Sequence, residues 1–277
     1  QRAERYTAYR ADLVRALDAD GWDGAWYRRA FYDDGTPLGS AQNDECRIDA
    51  IAQGWSILSG VAGDRTDQVL DAVDRYLVDE RAGMIRLLTP PFDVTDHDPG
   101  YIKGYLPGVR ENGGQYTHGV LWAVRAFAEG GRPGRALDLL RMILPVNHAR
   151  SQAAADRYKT EPFAVAADVY SVEPHVGRGG WTWYTGSAGW MWRVAVESVL
   201  GLRREADALV LTPRVPDDWD GYTLRYRTDS RGTVYVVQVV RDGPGGATSA
   251  EADGVGAPVE GGTARIPLVS DGAAHAV

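Results

Sequence analysis

The hydrophobic periodicity of the chain changes once, near Arg203, and this change limits the folds open to it. Before that point apolar residues recur every three to four positions, which is the spacing of amphipathic helices. After it they alternate with polar residues, as in half-buried strands. We therefore predict a mainly α protein that ends in a region of strands. The predicted helices cover residues 4–18, 48–58, 64–80, 119–129, 132–144, 161–170 and 186–200.

Strand-like segments follow at residues 209–211, 222–227, 233–240 and 264–268, separated by turn-forming residues at 213–219 and 243–246. They predict a small β-sandwich. Residues 22–32 alternate as well, but they lie between helices, so we expect a hairpin that ends at Asp34-Gly35. The long polar loops between the helices do not suit a simple bundle, and they favour helix hairpins arranged in a ring with the loops at one mouth. The predicted domains are 1–202 and 203–277.

Composition excludes several classes of protein. The chain has 277 residues, a formal net charge of -8 and a pI near 5.2, and it lacks the basic stripe that binds nucleic acid. It contains no run of about eighteen apolar residues that could cross a membrane. Its single Cys46 cannot form an internal disulfide, and its His and Cys residues form no cluster at metal-ligand spacing. We predict a cytoplasmic protein without metal, nucleic acid or membrane contact.

Two glycine-containing loops carry the strongest functional signal. They read ENGGQYTHG at 111–119 and WYTGSAGW at 183–190, and each leads into an apolar run of helical period. A helix N-terminus has unpaired N–H groups and the positive end of the helix dipole, so each loop can receive an anion. His118 and Thr185 add side-chain donors. In the alternative interpretation, Thr117 and Thr185 are ordinary N-caps and the glycines only turn the chain.

The aromatic and acidic residues leave more than one interpretation open. Nine Trp and fourteen Tyr against four Phe suit stacking on sugar rings, but they also suit the filling of wide gaps between helices. Acid and base carboxylates are expected of a glycosidase, yet spacing singles out no pair. Glu45, Asp49 and Glu111 are better explained as partners of Arg47, Arg110 or backbone groups than as catalytic acids.

Several segments together resemble the inverting β-glycoside phosphorylases of glycoside hydrolase family 94. They are residues 22–40, 108–119 and 185–190, in the family's order. The form ECRIDAIAQ at 45–53 is closest to the phosphorylase-like region of cyclic β-1,2-glucan synthases and to β-1,2-oligoglucan phosphorylases. The resemblance implies an (α/α)6 barrel, of which this chain is the C-terminal part, and no cofactor other than inorganic phosphate as co-substrate.

The resemblance also implies roles for particular residues. Phosphate attacks the anomeric carbon of a β-linked gluco-oligosaccharide while one Asp protonates the departing oxygen. His118, Thr185 and Gly186 match the family's phosphate-binding positions, and Arg110 matches a basic position that contacts the acceptor-side sugar. Glu111 and Gln53 complete the predicted substrate contacts. We also expect a homodimer among the partners.

One departure from the family pattern is the missing general acid. The family's acid lies in a Gly-Asp-Trp-Asn-Asp-Gly type motif, of which this chain has no copy, and the chain has about seven of the helices that a ring of six hairpins needs. We therefore expect a fragment of a longer enzyme that lacks the proton donor. Two alternatives stay open: an inverting hydrolase in which Glu45, Asp49 or Glu111 activates water, and a non-catalytic carbohydrate-binding module.

Overall fold

The structure is a computed structural model that describes residues 1–243 and 245–277. Its N-terminal part is mainly helical. The α-helix Arg2–Ala16 continues as the π-helix Leu17–Gly21 and the α-helix Thr185–Arg193 as the π-helix Val194–Val199, and short 3₁₀-helices cover Gly63–Arg65, Gly100–Gly104 and Pro145–Ala149. The α-helices of the described residues are α1 Arg2–Ala16, α2 Ala50–Leu58, α3 Thr66–Leu77, α4 Thr117–Glu129, α5 Pro133–Ile143, α6 Gln152–Tyr158 and α7 Thr185–Arg193.

Helix α4 lies in the middle of the main hydrophobic core. Val120, Val124 and Phe127 are completely buried, as expected for a helix that other helices cover on several sides. It packs against both α2 and α5. Helix α2 comes closest at Gly54, where an added Cβ would lie only 3.1 Å from the Trp122 carbonyl carbon. A side chain at this position would push the two helices apart.

Four two-stranded antiparallel ladders tie the loops between the helices together. Strand β3 (Ile48–Asp49) leads directly into α2, and strand β7 (Gln115–Tyr116) leads directly into α4. The segment that leads into α7 joins β8, because Val169 pairs with Gly179 and the Gly180 N–H donates to the Asp168 carbonyl at 2.8 Å. The starts of α4 and α7 are thus held together. The ladders are β1 Ala30–Phe31 with β2 Pro37–Leu38, β3 Ile48–Asp49 with β6 Leu88–Thr89, β4 Val78–Asp79 with β5 Met84–Ile85, and β7 Gln115–Tyr116 with β8 Asp168–Val169.

After Val199 the chain consists of strands. One sheet has the order β15-β16-β10-β9, a second has the order β11-β12-β17 with β17 parallel to β12, and β13 pairs with β14. Leu209 and Ile266 of the first sheet and Tyr235 and Val237 of the second belong to one hydrophobic cluster. The strands are β9 Leu202–Glu205, β10 Ala208–Leu211, β11 Gly221–Arg227, β12 Val234–Val240, β13 Glu251–Ala252, β14 Val255–Gly256, β15 Val259–Glu260, β16 Thr263–Pro267 and β17 Ala274–Ala276.

The predicted helix at 161–170 is wrong. These residues form a turn followed by strand β8, and the nearby helix is α6. Helix α6 starts at a real cap, since the Ser151 Oγ accepts the Ala154 N–H at 3.2 Å. It ends at Lys159, whose φ of 60° is left-handed. Ala164, Ala166 and Ala167 are buried in this non-helical segment while Phe163 is exposed, and a short apolar run has the same composition in either state.

The predicted hairpin forms around Asp34-Gly35, but with shorter arms than expected. Its strands are β1 and β2, and residues 22–27 contribute only the isolated bridge between Trp22 and Tyr27. Gly35 has a φ of 85°, which glycine adopts without strain. The predicted turn at 243–246 includes Pro244, which lies outside the described residues.

Candidate functional site

The two glycine-containing loops of the sequence meet in space at the starts of α4 and α7. Tyr116 and Tyr184 are the N-cap residues, both have extended backbone, and neither helix has a side-chain cap. Thr117 and Thr185 are therefore the first helical residues and not caps. A Cβ built on Gly186 would lie 3.4 Å from the His118 Nδ1 atom. Two uncapped helix N-termini thus come together beside one imidazole, an arrangement that can attract an anion.

His118 is partly covered by two indoles. Its ring centroid lies 5.0 Å from that of Trp122 and 6.1 Å from that of Trp190. Burial lowers the pKa of His118, so the ring is neutral near neutral pH and has one N–H donor and one acceptor nitrogen. Thr185 and Gly186 are exposed beside it. The three residues can therefore present an imidazole, a hydroxyl and a backbone N–H to the same ligand.

A second group of side chains surrounds Arg110. Its guanidinium carbon lies 5.2 Å from the ring centroid of Tyr105, 5.1 Å from that of Trp181 and 6.0 Å from that of Tyr184, distances at which a cation is attracted to an aromatic face. The Arg110 N–H donates to Asp168 Oδ2 at 3.0 Å. These contacts hold the Arg110 guanidinium, which can donate several hydrogen bonds, among aromatic rings.

The Arg110 group lines a cavity of about 260 Å³. Aromatic faces together with a cation are typical of pockets that bind polyhydroxylated ligands, since the rings cover apolar faces and the cation bonds to hydroxyls. The described lining residues are Tyr105, Val109, Arg110, Asp168, Tyr170 and Trp181.

Gln53, which the sequence predicts as a substrate contact, does not line this cavity. It is completely buried in α2. Its Oε1 accepts the Tyr27 N–H at 2.8 Å, and its Nε2 donates to the Tyr27 and Asp49 carbonyls at 2.8 and 3.0 Å. These bonds occupy both donors of the amide and one of its acceptor positions, so Gln53 joins α2 to the preceding loop.

Two of the three carboxylates considered as water-activating bases have structural roles. Asp49 is completely buried, caps α2 by accepting the Ile51 N–H at 2.8 Å and forms an ion pair with Arg29. Glu45 accepts backbone N–H groups of Asp93, Val94 and Thr95 at 2.8 to 3.2 Å. Partial burial acts to raise the pKa of Glu45, but these hydrogen bonds prevail and lower it.

Glu111 follows Arg110 and lies 3.4 Å from its Nε. Its contact with substrate stays a prediction. Sequence reasoning missed Asp168 and Trp181 altogether. Asp168 lay inside the helix wrongly predicted at 161–170, which hid its position at a strand end beside Arg110. The skewed use of Trp and Tyr was the one signal for the aromatic surroundings of Arg110.

Among the described residues, no group of three or more His, Cys, Asp or Glu side chains is placed to hold a metal ion. The part of the chain that the structure describes also contains no helix of sufficient length and apolar character to cross a membrane.

Comparison with known proteins assigns the chain to a family. The chain is 53% identical over 235 residues to the cyclic beta-(1,2)-glucan synthase NdvB of Rhizobium meliloti (strain 1021). The aligned region covers 84% of this chain and 8% of that protein. It is 34% identical over 222 residues to the solabiose phosphorylase of Paenibacillus borealis, covering 79% of this chain and 28% of that protein. It is 30% identical over 135 residues to the 1,2-beta-oligoglucan phosphorylase of Listeria innocua serovar 6a, covering 44% of this chain and 12% of that protein.

The chain therefore spans less than a third of each of these three relatives. Residues 1–201 match the family described as the glycosyl hydrolase 94 superfamily, catalytic domain. This match confirms the resemblance that the sequence motifs indicated: the chain belongs to the glycosyl hydrolase 94 superfamily.

Proposed function

We propose that this chain is the C-terminal part of an inverting phosphorylase that cleaves β-1,2-linked gluco-oligosaccharides and releases α-glucose 1-phosphate. One observation carries the proposal: in a chain of this family, the uncapped starts of α4 and α7 meet with His118 beside Gly186. The identity to a cyclic beta-(1,2)-glucan synthase and to a 1,2-beta-oligoglucan phosphorylase supports the linkage.

In the proposed reaction His118, Thr185 and Gly186 bind inorganic phosphate. A phosphate oxygen attacks the anomeric carbon, the bond from that carbon to the glycosidic oxygen breaks, and the configuration inverts. The departing oxygen takes a proton from a carboxylic acid that lies outside this chain. The neutral His118 suits this role, because it adds an N–H donor without a buried positive charge.

Arg110 binds the acceptor-side sugar in the proposal, with Glu111 beside it. The aromatic rings around the guanidinium support this role, since they leave its position fixed while its N–H groups remain available to hydroxyl oxygens. Saccharide and phosphate then occupy neighbouring parts of one site. Tyr184 provides the connection, because its hydroxyl lies 3.4 Å from Arg110 and it directly precedes Thr185.

The proposal includes an upstream segment that completes an (α/α)6 barrel, with domains at 1–202 and 203–277 in this chain. Helix α1 supports it, because none of its residues is buried and Tyr6, Tyr9 and Leu13 are exposed. A cytoplasmic location and a homodimer belong to the same proposal.

The test is an assay of the full-length protein that contains this chain, with a β-1,2-linked glucose disaccharide and longer β-1,2-oligoglucans as substrates. We expect α-glucose 1-phosphate in the presence of phosphate and no sugar release in its absence. Phosphate-independent release of glucose would instead indicate a hydrolase. Saccharide binding without any product would indicate a binding module.

The 277-residue chain alone is the matched control. We expect it to release no glucose 1-phosphate, since protonation of a sugar leaving group contributes roughly 10²- to 10⁴-fold in rate. Rapid release by the isolated chain would show that it contains the acid after all.

A further inference from the structure

The conformation of Arg110 requires support from its surroundings. Its φ of 51° is left-handed, and such a conformation is strained in a residue other than glycine. It lies in a tight loop in which Val109 and Asn112 form an isolated bridge. The loop is closed at its base by the Gly108 N–H, which donates to the Asn112 carbonyl at 2.7 Å.

Asp168 provides this support. We propose that it is a positioning residue, which fixes the backbone of Arg110 and thereby the guanidinium that contacts the saccharide. The inference rests on the proposed function in one respect, the role of Arg110. Asp168 is 1% exposed, and its Oδ2 accepts the Arg110 N–H at 3.0 Å. No other bond to the Arg110 N–H is seen in the described residues.

Asp168 is itself held on two sides. Its strand β8 pairs with β7, in which Tyr116 is its partner. Its carbonyl accepts the Gly180 N–H at 2.8 Å. Asp168 therefore connects the Arg110 loop to the start of α4 and to the segment that carries Trp181. A shift of Asp168 would move the guanidinium and one of its aromatic neighbours relative to each other.

Gly180 leaves the space that the Asp168 carboxylate occupies. A Cβ added to Gly180 would overlap Asp168 Oδ1 and would lie 2.8 Å from its Cγ. The three atoms nearest to that Cβ all belong to the Asp168 side chain. Gly180→Ala therefore displaces this carboxylate without removing any charged or polar group, and the clash disappears when residue 168 is alanine.

The test measures saccharide affinity in four backgrounds of the full-length protein: wild type, Asp168→Ala, Gly180→Ala and Arg110→Ala. Binding of a β-1,2-linked glucose disaccharide is followed by tryptophan fluorescence without phosphate, and KM and kcat are followed in phosphorolysis. We expect each single variant to weaken saccharide binding and raise its KM by roughly ten- to a hundred-fold, which corresponds to the loss of a charged hydrogen bond. The KM for phosphate stays unchanged.

Double variants show whether Asp168 acts through Arg110. Adding Asp168→Ala or Gly180→Ala to Arg110→Ala should weaken saccharide binding no further, and adding Gly180→Ala to Asp168→Ala should likewise have no effect. Asp168→Asn retains an acceptor oxygen and should recover most of the affinity. Full additivity with Arg110→Ala, or unchanged affinity in Gly180→Ala, would overturn the proposal.

Asp23 offers a matched control. It is also a carboxylate of low exposure that accepts a backbone N–H, from Ala41 at 2.7 Å, and bonds to an arginine, Arg28. Asp23→Ala should lower stability and leave saccharide affinity unchanged. Equal loss of affinity in Asp23→Ala and Asp168→Ala would overturn the positioning role.

If Asp168→Ala does not fold, Gly180→Ala with and without Arg110→Ala decides the question. A wild-type protein that binds the disaccharide but consumes no phosphate would refute the proposed function and leave this test intact.

Discussion

At the residue scale, the phosphate site predicts a selective effect of Thr185→Ala. In the full-length protein this change should raise the KM for phosphate by roughly ten-fold or more, since one hydrogen bond to a charged group is lost. Saccharide binding in the absence of phosphate should stay nearly unchanged. His118→Ala should behave in the same way. Initial rates at several phosphate concentrations provide the measurement.

Thr66→Ala serves as the control for Thr185→Ala. Thr66 also starts a helix, α3, but its hydroxyl donates to the Gly63 carbonyl at 2.7 Å and is engaged there. Its removal should not change the phosphate requirement. An equal KM for phosphate in the wild type and in Thr185→Ala would contradict the assignment of the anion site.

Sequence reasoning located one part of the candidate site and missed another. It selected His118, Thr185 and Gly186 from the physics of helix N-termini, and the structure brings His118 and Gly186 together. Their phosphate-binding role stays a prediction. It missed Asp168, because a carboxylate that bonds to a backbone N–H far away in the chain leaves no local pattern. It also selected Gln53, which the structure buries in α2, because a polar residue at a helix start has the same sequence signature whether it faces a ligand or the core.

At the element scale, predictions succeeded where a periodic pattern was long and failed where it was short. Helices α3, α4 and α5 have wide apolar faces, and their positions were predicted to within a few residues. Helix α6 has only one buried residue, Tyr158, so it produces no periodic signal. The two-residue ladders that hold the loops together depend on pairing between distant segments, which a single sequence does not reveal.

The last strand of the chain is held by histidine–carboxylate hydrogen bonds whose contribution to stability depends on pH. His275 of β17 lies between two carboxylates, with its Nδ1 at 2.7 Å from Asp253 and its Nε2 at 3.2 Å from Asp271. These hydrogen bonds, that of Asp253 first, raise the pKa of His275. A raised histidine pKa means that the protonated form stabilises the fold. This contribution is complete below the unfolded pKa of about 6.5 and is lost as pH rises through the folded value.

We therefore expect His275→Gln to destabilise the protein at about pH 6 and to have a much smaller effect at about pH 9, where histidine is neutral in either state. Urea unfolding of both proteins at the two pH values measures the difference. A destabilisation of the same size at both would show that packing of the ring on Tyr235, whose centroid lies 5.0 Å away, is the main contribution.

At the scale of the whole molecule, three indoles of the helical region form a connected cluster that is partly exposed. Trp55 is 41% exposed and its ring centroid lies 5.4 Å from that of Trp122, which in turn lies 5.8 Å from that of Trp190. These three residues belong to α2, α4 and α7, of which α4 and α7 start at the candidate site, and Trp122 and Trp190 are half-buried. Connected exposed apolar surface of this kind marks a contact with another part of a protein. The proposed upstream helices would cover it.

This arrangement predicts that the effect of one substitution depends on the length of the protein. Trp55→Gln should destabilise the isolated 277-residue chain by only about 1–2 kcal/mol, because a large part of the side chain is already in water. In the full-length protein it should cost about 3–5 kcal/mol, as the loss of a fully packed Trp does.

Val255→Gln is the matched control: Val255 is 71% exposed in the C-terminal strands and should be neutral in both proteins. Urea unfolding of the isolated chain and of the full-length protein, each with both variants, provides the measurement. Equal destabilisation by Trp55→Gln in the two proteins would mean that the upstream segment does not cover this face, and the barrel proposed around α2, α4 and α7 would have to be abandoned.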